Sequence, residues 1–213
     1  MPTPEDRPEV EIDADVAVWL RGPAIDATDD VREKWVAGAV YAVATDFGLE
    51  DAKGGADYRE YVARVLGSFA RWKTPANITF LRFRYQGDTP IPVGIELYNA
   101  ADVEEVVAAY PPKNASQPAS KAFLEAMLTV DEDVPTVGEI SRELVEGSAW
   151  ERLIYWVEDP EDGVTSRVRF VRRYAQTGTV VIARFGGISP SLTVEAIPDV
   201  DDLVRGIRIG GES

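Results

Sequence analysis

Five arginines occupy alternating positions in two β-rich runs, and their spacing makes them the best candidates for a binding site. They are Arg82, Arg84, Arg167, Arg169 and Arg173. Because side chains alternate between the two faces of a strand, the last three share one face if residues 164–174 form a strand. Arginine binds carboxylates and phosphates through paired hydrogen bonds. These arginines are therefore the candidate anion site or docking surface for an acidic partner, although pairing with the protein's own 37 acidic residues is the favoured interpretation.

Two other patterns are weaker candidates for binding sites. Gly186-Gly187 ahead of Ser189-Pro190-Ser191 can form a small anion-binding nest of backbone N–H groups, although a turn that leaves a strand is the favoured interpretation. Carboxylates also cluster at residues 131–133, 159–162 and 199–202. None of these clusters has the spacing of an EF-hand loop, so we predict surface turns and caps and no metal site.

The chain contains no cysteine and no histidine. Thiolate catalysis, zinc–thiolate sites and iron–sulfur clusters are therefore excluded, as are the Ser-His-Asp triad and imidazole metal ligands. Any metal would have to be a hard cation held by oxygen atoms. Because histidine is the most common general base, we predict no catalytic residue and no cofactor.

The net charge of −15 bears on the class of partner. It argues against nucleic acid and anionic membranes, whose phosphates are neutralised by lysine and arginine. No apolar run approaches the ~18 residues of a membrane-spanning helix, and the N-terminus lacks the pattern of a signal peptide. We expect a cytoplasmic protein, unless a leader has been removed. The acidity serves either solubility or attraction to a basic partner.

The segment with the clearest secondary structure lies near the C-terminus. The runs Trp150–Val157, Val164–Tyr174 and Thr179–Phe185 are rich in β-branched and aromatic residues, and short connectors that contain Gly163 and Gly178 separate them. Glycine reaches the positive φ that tight hairpin turns require. The sequence therefore predicts a three-stranded antiparallel meander over about residues 150–186.

Capping residues and apolar periodicity predict the remaining elements. Helices are expected from Thr28–Asp30 to Phe47, over Asp57–Trp72, from Asn99 to Ala109, over Ala119–Thr129, from Thr136 to Glu146, and from Pro198 onward. Strands are expected at Val16–Leu20, Asn77–Tyr85 and Val93–Tyr98. Leu192–Ile197 is either a final strand or a helical turn, and the strand is favoured.

Strands that are grouped apart from helices indicate an α+β fold. We predict an antiparallel sheet built on the C-terminal meander, with helices packed on one face and a closing C-terminal helix. Residues 1–8 are predicted to be a flexible tail and residues 9–209 a single domain. Tyr110–Ala119, which is rich in proline and small polar residues, is predicted to be a loop.

No motif in the sequence identifies a function. We predict a non-enzymatic protein-binding factor with an acidic surface, such as an adaptor, a chaperone-like factor or an inhibitor. Its partner is another protein, a basic protein being one candidate. The alternative is an enzyme that uses carboxylates or a hard divalent cation on a phosphorylated or polar substrate.

Overall fold

The fold is taken from a computed structural model that describes most of the chain. It covers residues 9–48, 55–84, 86–111, 117–131 and 133–210. The predicted N-terminal tail, residues 1–8, lies outside the described residues. So do residues 112–116 of the predicted loop Tyr110–Ala119.

Within the described residues the chain forms nine strands and five helices, none of which is long and apolar enough to cross a membrane. The strands are Val10–Ile12 (β1), Trp19–Arg21 (β2), Ile78–Arg82 (β3), Ile91–Tyr98 (β4), Ser141–Leu144 (β5), Glu151–Asp159 (β6), Gly163–Arg173 (β7), Val180–Gly186 (β8) and Ile207–Ile209 (β9). The helices are Asp29–Asp46 (α1), Gly55–Ala70 (α2), Ala100–Ala109 (α3), Ala119–Met127 (α4) and Pro190–Arg205 (α5). Seven strands form one sheet in the order β2-β3-β4-β8-β7-β6-β5, and β1 pairs with β9.

The predicted α+β class and the meander at its centre are confirmed. Strands β6, β7 and β8 pair antiparallel in sequence order. The two connectors turn at Gly163 and Gly178, whose φ angles are 72° and 70°. Glycine adopts this left-handed conformation without the steric cost of a Cβ atom, so the turn residues and the β-rich runs specify the same hairpins.

The chain divides into two compact units. The small unit is Asp15–Gly94, and the large unit comprises the described residues before Asp15 and after Gly94. Each unit has a hydrophobic cluster of its own. Whether residues 9–209 unfold as one domain stays a prediction, which a denaturation experiment tests.

The core of the small unit forms between α2 and β3. Val62, Leu66 and Phe69 recur at helical spacing along α2 and are buried against Leu81 and Phe83. An apolar stripe at this spacing is the signature of a helix that covers a core. The predicted amphipathic helix is therefore confirmed, although it begins at Gly55 and ends at Ala70.

Helix α1 begins within the capping residues that predict it, and it is only partly buried. The hydroxyl of Thr28 accepts the hydrogen bond that caps the helix. Only Val43 and Ala44 of the helix are buried, and Tyr41 is 69% exposed. Other apolar residues of the helix, such as Val36 and Val40, pack partly buried against the cluster of the small unit.

The large unit has helices on both faces of its part of the sheet. Helices α3 and α4 cover one face, where Phe123 of α4 packs with Leu153 and Ile182. Helix α5 covers the opposite face, where Thr193 Oγ1 donates a hydrogen bond to Ser166 Oγ at 2.7 Å. The strands of the meander are therefore buried on both sides, which explains their nearly continuous apolar runs.

The strand predicted at Leu192–Ile197 is wrong, because these residues belong to α5. Ser189 caps the helix through its side chain, and Pro190 is the first helical residue, where a missing N–H costs nothing. Pro198, predicted to begin a helix, lies inside it. Because proline has no backbone N–H, Pro198 donates no helical hydrogen bond to the carbonyl of Val194. Val194 is 65% exposed, so this carbonyl lies on the solvent side of the helix.

The helix predicted from Thr136 to Glu146 is also wrong, because Ser141–Leu144 forms the edge strand β5. The edge of β6 supplies the reason. The backbone N–H of Val145 donates to the carbonyl of Trp150 at 2.8 Å, and all four β5 residues are paired with β6. Hydrogen bonds offered by a neighbouring strand override a local helical signal.

The shortest strands carry the remaining differences. The small β1–β9 sheet was not predicted, and Ile207 lies in β9 and not on the face of the closing helix. Strand β2 begins at Trp19, since residues 16–18 of the predicted strand Val16–Leu20 form a turn. Strands of three residues have too little pattern to be recognised when their partners are distant in sequence.

Candidate binding site

The three arginines of β7 share one face, as predicted, but they have different surroundings. Arg169 donates to the carbonyl oxygen of Met127 at 3.3 Å and to the hydroxyl of Tyr155 at 3.1 Å. Arg167 donates to the carbonyl of the preceding residue at 2.8 Å, and Arg173 is exposed. In the described part of the chain, none of the three forms an ion pair with a carboxylate. Their role as an anion site stays a hypothesis.

Arg82 is not on an exposed face. Its side chain is 0% exposed, and Arg82 Nη1 lies 3.3 Å from Asp88 Oδ1, which belongs to a side chain that is 2% exposed. The backbone N–H of Arg84 donates to the same carboxylate at 3.0 Å. The alternation of side chains along a strand predicts which residues share a face, but it does not predict whether that face is exposed to solvent. In this strand, residues 79–82 are all buried.

The glycine turn and the acidic clusters have structural roles. Gly187 has a φ of 72°, and its N–H donates to the carbonyl of Ser166 at 2.9 Å. The carboxylate of Asp159 accepts two backbone hydrogen bonds from the next turn, which lower its pKa. Asp201 binds Arg152 at 2.6 Å. Among the residues that the structure describes, no group of three or more carboxylates is placed to hold a metal ion.

The large unit contains one further polar cluster, on the face covered by α3 and α4. Glu96 is 4% exposed, and its carboxylate accepts a hydrogen bond from the hydroxyl of Tyr98 at 2.7 Å. Arg184 Nε lies 3.0 Å from the other carboxylate oxygen. Burial, with the nearby negative charge of Glu96, raises the pKa of Tyr98 to about 12. The cluster is internally compensated and stabilises the fold.

The small unit has two neighbouring cavities at the C-terminal end of α2 that share two aromatic side chains. Phe69 and Trp72 line both of them. Helix α2 ends at Ala70, and the chain then turns through Trp72 and Lys73 toward β3. The end of the amphipathic helix therefore places aromatic and cationic side chains side by side.

The first of these, the cationic cavity, has a volume of about 450 Å³. Its polar lining consists of Asp29, Arg32, Arg71, Lys73, Thr74 and Thr79, and Trp72 forms part of its wall. Three side chains in this lining are cations and one is an anion. The stretch of chain from residue 61 to residue 87 contains five basic residues and no acidic one. The cavity is therefore a positively charged site in an acidic protein.

The second, the apolar groove, has a volume of about 370 Å³. Its lining consists of Arg64, Val65, Ser68, Phe69, Trp72, Leu81, Pro90 and Pro92. Both volumes fall in the range of about 300–1,000 Å³ that is usual for ligand sites. The groove offers apolar and aromatic contacts with a single cation at its rim.

Trp72, which stands between the two cavities, is held in place although it is 37% exposed. Its ring packs against Phe69 with a centroid distance of 6.4 Å and an interplanar angle of 28°. A Cβ atom at Gly94 would lie 3.5 Å from Trp72 Cη2 and 2.9 Å from Ala76 Cβ. The indole ring therefore lies beside strand β4, and the neighbour that requires glycine at position 94 is Ala76.

Sequence reasoning missed this pair of cavities. Trp72 completed the helical stripe of α2 and was expected in the core, but it lies beyond the end of the helix and partly exposed. The signal in the sequence was the acid-free stretch from 61 to 87, with Trp72 and Lys73 inside it. That signal gives no position for Arg32, which is far away in the chain.

No protein-family model and no curated protein matches the chain. Among solved structures, the chain is similar to LpqN of Mycobacterium tuberculosis, described as involved in cell envelope biogenesis. The identity is 9%, the match covers 95% of this chain and 83% of that chain, and the TM-score is 0.42. A likeness of this size carries no argument about the role of this chain.

Proposed function

We propose that this protein is a non-enzymatic binding protein and that its small unit holds a segment of a partner protein at Trp72. The observation that carries the proposal is the placement of this side chain. It is 37% exposed, packs on Phe69 and borders both the cationic cavity and the apolar groove. Tryptophan and arginine are enriched among the residues that dominate binding energy in protein interfaces.

Contacts within the fold restrict the side chains of the site, which favours binding. Trp72 packs on Phe69 and lies beside Gly94, and two proline rings form part of the groove. Side chains that are already restricted lose little entropy when a partner binds. An apolar side chain of the partner that enters the groove therefore gains contact with Trp72, Val65 and the two prolines at a low ordering cost.

The acidity of the chain belongs mainly to residues 1–14 and 95–213, which contain 26 acidic and 12 basic residues. Attraction of a basic partner to the large unit stays a prediction. The alternative function is an enzyme that uses carboxylates or a divalent cation. Among the described residues, no group of three or more carboxylates is placed to hold such a cation. The two cavities at Trp72 favour a binding role.

The test is a selection of peptides from a random phage library on the immobilised chain. We expect the selected peptides to share an aromatic or leucine side chain and to bind Trp72→Ala at least tenfold more weakly than wild type. Tyr110→Ala is the matched control, because Tyr110 is an aromatic residue of the large unit that is 81% exposed. Circular dichroism and thermal melts establish that both variants are folded.

Peptides that bind Trp72→Ala as tightly as wild type would contradict the proposal. So would a loss of binding in Tyr110→Ala that equals the loss in Trp72→Ala. A selection that yields no shared apolar residue would contradict it as well, since the groove is the feature that is expected to be recognised.

A further inference from the structure

The lining of the cationic cavity contains three cations and one carboxylate. Arg32 is the most enclosed of its cations, with a side chain that is 25% exposed. Arg32 Nη2 donates to the carbonyl of Ile25 at 3.0 Å, which orients the guanidinium group. Arg32 Nη1 lies 3.3 Å from Asp29 Oδ1, and the side chain of Asp29 is 85% exposed. A pair at this distance and exposure is weak, because charge-assisted bonds are usually about 2.7–2.9 Å long.

Within the part of the chain that the structure describes, the other two cations of the cavity, Arg71 and Lys73, have no carboxylate partner. Arg71 Nη1 donates to the carbonyl of Gly67 at 3.2 Å, which leaves the remaining donors of its guanidinium group for other partners. Within the described residues Lys73 forms no ion pair, and it is exposed. Three cations therefore face one solvated carboxylate, and the cavity is electrostatically suited to an added negative charge.

The occupant of the apolar groove and the occupant of the cationic cavity are expected to be parts of one segment. Phe69 and Trp72 line both cavities, so a chain that places an apolar side chain in the groove brings its neighbouring residues to the cations. An internal segment of an unmodified protein carries its negative charge on the carboxylates of aspartate and glutamate. Guanidinium groups bind carboxylates with two parallel hydrogen bonds.

We infer that the small unit recognises an acidic peptide segment in which an aspartate or glutamate lies close to an apolar anchor. The carboxylate is received by Arg32, Arg71 and Lys73, and the anchor packs on Trp72 in the groove. This inference rests on the proposed function and adds the charge of the partner to it. Selectivity for an acidic segment follows from the cations, while the groove supplies the affinity for the anchor.

The experiment uses a positional series of peptides and the full chain. Each peptide has a Gly/Ser background, one phenylalanine, and one glutamate at a position from four residues before the phenylalanine to four residues after it. A matched series has glutamine in place of glutamate. Dissociation constants are measured by fluorescence polarisation at low and at high NaCl concentration.

We expect a glutamate peptide at one or more positions to bind about tenfold more tightly than its glutamine counterpart, and we expect NaCl to reduce this difference. The double variant Arg32→Gln/Lys73→Gln should lose the difference but bind the glutamine peptides as wild type does. Lys121→Gln/Arg208→Gln is the matched control, because it removes two exposed cations of the large unit. This control should retain the full preference for glutamate.

The outcomes separate the two proposals. Equal binding of glutamate and glutamine peptides at every position, with all binding dependent on Trp72, overturns the inference and leaves the proposed function intact. A preference for glutamate that survives undiminished in Arg32→Gln/Lys73→Gln, where Arg71 is the remaining cation of the lining, overturns the assignment to the cationic cavity. Binding of both series that is unchanged in Trp72→Ala overturns both proposals. A change of oligomeric state in Trp72→Ala identifies a second copy of the chain as the occupant and also overturns the inference.

Discussion

The two units of this protein manage their charges in different ways. Residues 15–94 contain 11 acidic and 10 basic residues, whereas residues 1–14 and 95–213 contain 26 and 12. In the large unit, some arginines are held by several carboxylates, such as Arg152 by Glu143 and Asp201. In the small unit, the cations of the cavity face Asp29 alone among carboxylates of the cavity lining. The net charge of a chain therefore does not describe the charge of its candidate site.

The units also differ in how they bury polar groups. The small unit encloses a complete ion pair, Arg82 with Asp88. The large unit encloses the hydroxyls of Thr193 and Ser166, and its buried carboxylate, Glu96, pairs with an arginine that is 35% exposed, Arg184. A buried charge that loses its partner costs several times more than an exposed one, so equivalent substitutions should have unequal effects in the two units.

The largest effect is expected from Phe123→Ala in the large unit. Phe123 is 2% exposed within the cluster under α4, so the substitution removes buried apolar contacts and leaves a cavity. We expect a loss of about 3–5 kcal/mol in the free energy of unfolding, measured by urea denaturation. Tyr110→Ala, which truncates an exposed aromatic residue of the same unit, should change it by less than about 0.5 kcal/mol.

Asp88→Asn is expected to have the next largest effect, in the small unit. It removes the negative charge that lies 3.3 Å from the buried guanidinium of Arg82, and we expect a loss of about 3 kcal/mol in the free energy of unfolding. Asp30→Asn is the control, because Asp30 pairs with Lys34 on the surface and should contribute about 0–1 kcal/mol.

The same variant tests whether the two units unfold together. If residues 9–209 form one cooperative domain, as the sequence predicts, the whole unfolding transition moves to lower urea concentration. A second transition that stays at its wild-type midpoint in Asp88→Asn would contradict that prediction.

A smaller effect is expected at alkaline pH from Tyr98 of the large unit. Burial and Glu96 raise its pKa to about 12, above the ordinary value of about 10. The stability that Tyr98 contributes is therefore complete below pH ~10 and is lost as the pH rises from about 10 to about 12, since the unfolded chain ionises first.

Urea denaturation at pH 8 and pH 11 measures this contribution. Tyr98→Phe should lose less stability between the two pH values than wild type, by about 1 kcal/mol after allowance for solvent screening of a half-exposed group. Tyr110→Phe should behave as wild type, because Tyr110 is 81% exposed. An equal loss in Tyr98→Phe and wild type would mean that the raised pKa is not linked to folding.

The smallest effect is expected from the arginines of β7. Arg167 and Arg169 already donate hydrogen bonds to oxygen atoms of the fold. The comparison is between sulfate and chloride at matched ionic strength, in wild type and in the triple variant Arg167→Gln/Arg169→Gln/Arg173→Gln. We expect sulfate to change the melting temperature of the two proteins equally. A gain in sulfate that disappears in the triple variant would instead establish an anion site on β7. Saturation of such a site at 100 times its dissociation constant would add about 2.7 kcal/mol.

The sequence by itself determined the elements whose signals are local. Gly163 and Gly178 supply the positive φ of the hairpin turns, so the meander was predictable from residues that lie within a few positions of each turn. Asn99 caps α3 through a reciprocal pair of hydrogen bonds with Asp102, and its spacing was visible in the chain. The absence of cysteine and histidine, which excludes whole classes of chemistry, needed no structure at all.

Tertiary structure decided the features that depend on residues distant in sequence. Residues 141–144 became a strand because β6 offered its edge, and β1 formed because β9 lies beside it at the other end of the chain. The burial of Arg82 followed from its position within the sheet, which alternation alone does not reveal. The candidate site arose in the same way. Arg32 and Trp72 are 40 positions apart in the chain, and only the packing of the fold brings their side chains to one cavity. Contacts between residues so far apart follow no periodic pattern, so the sequence alone does not reveal them.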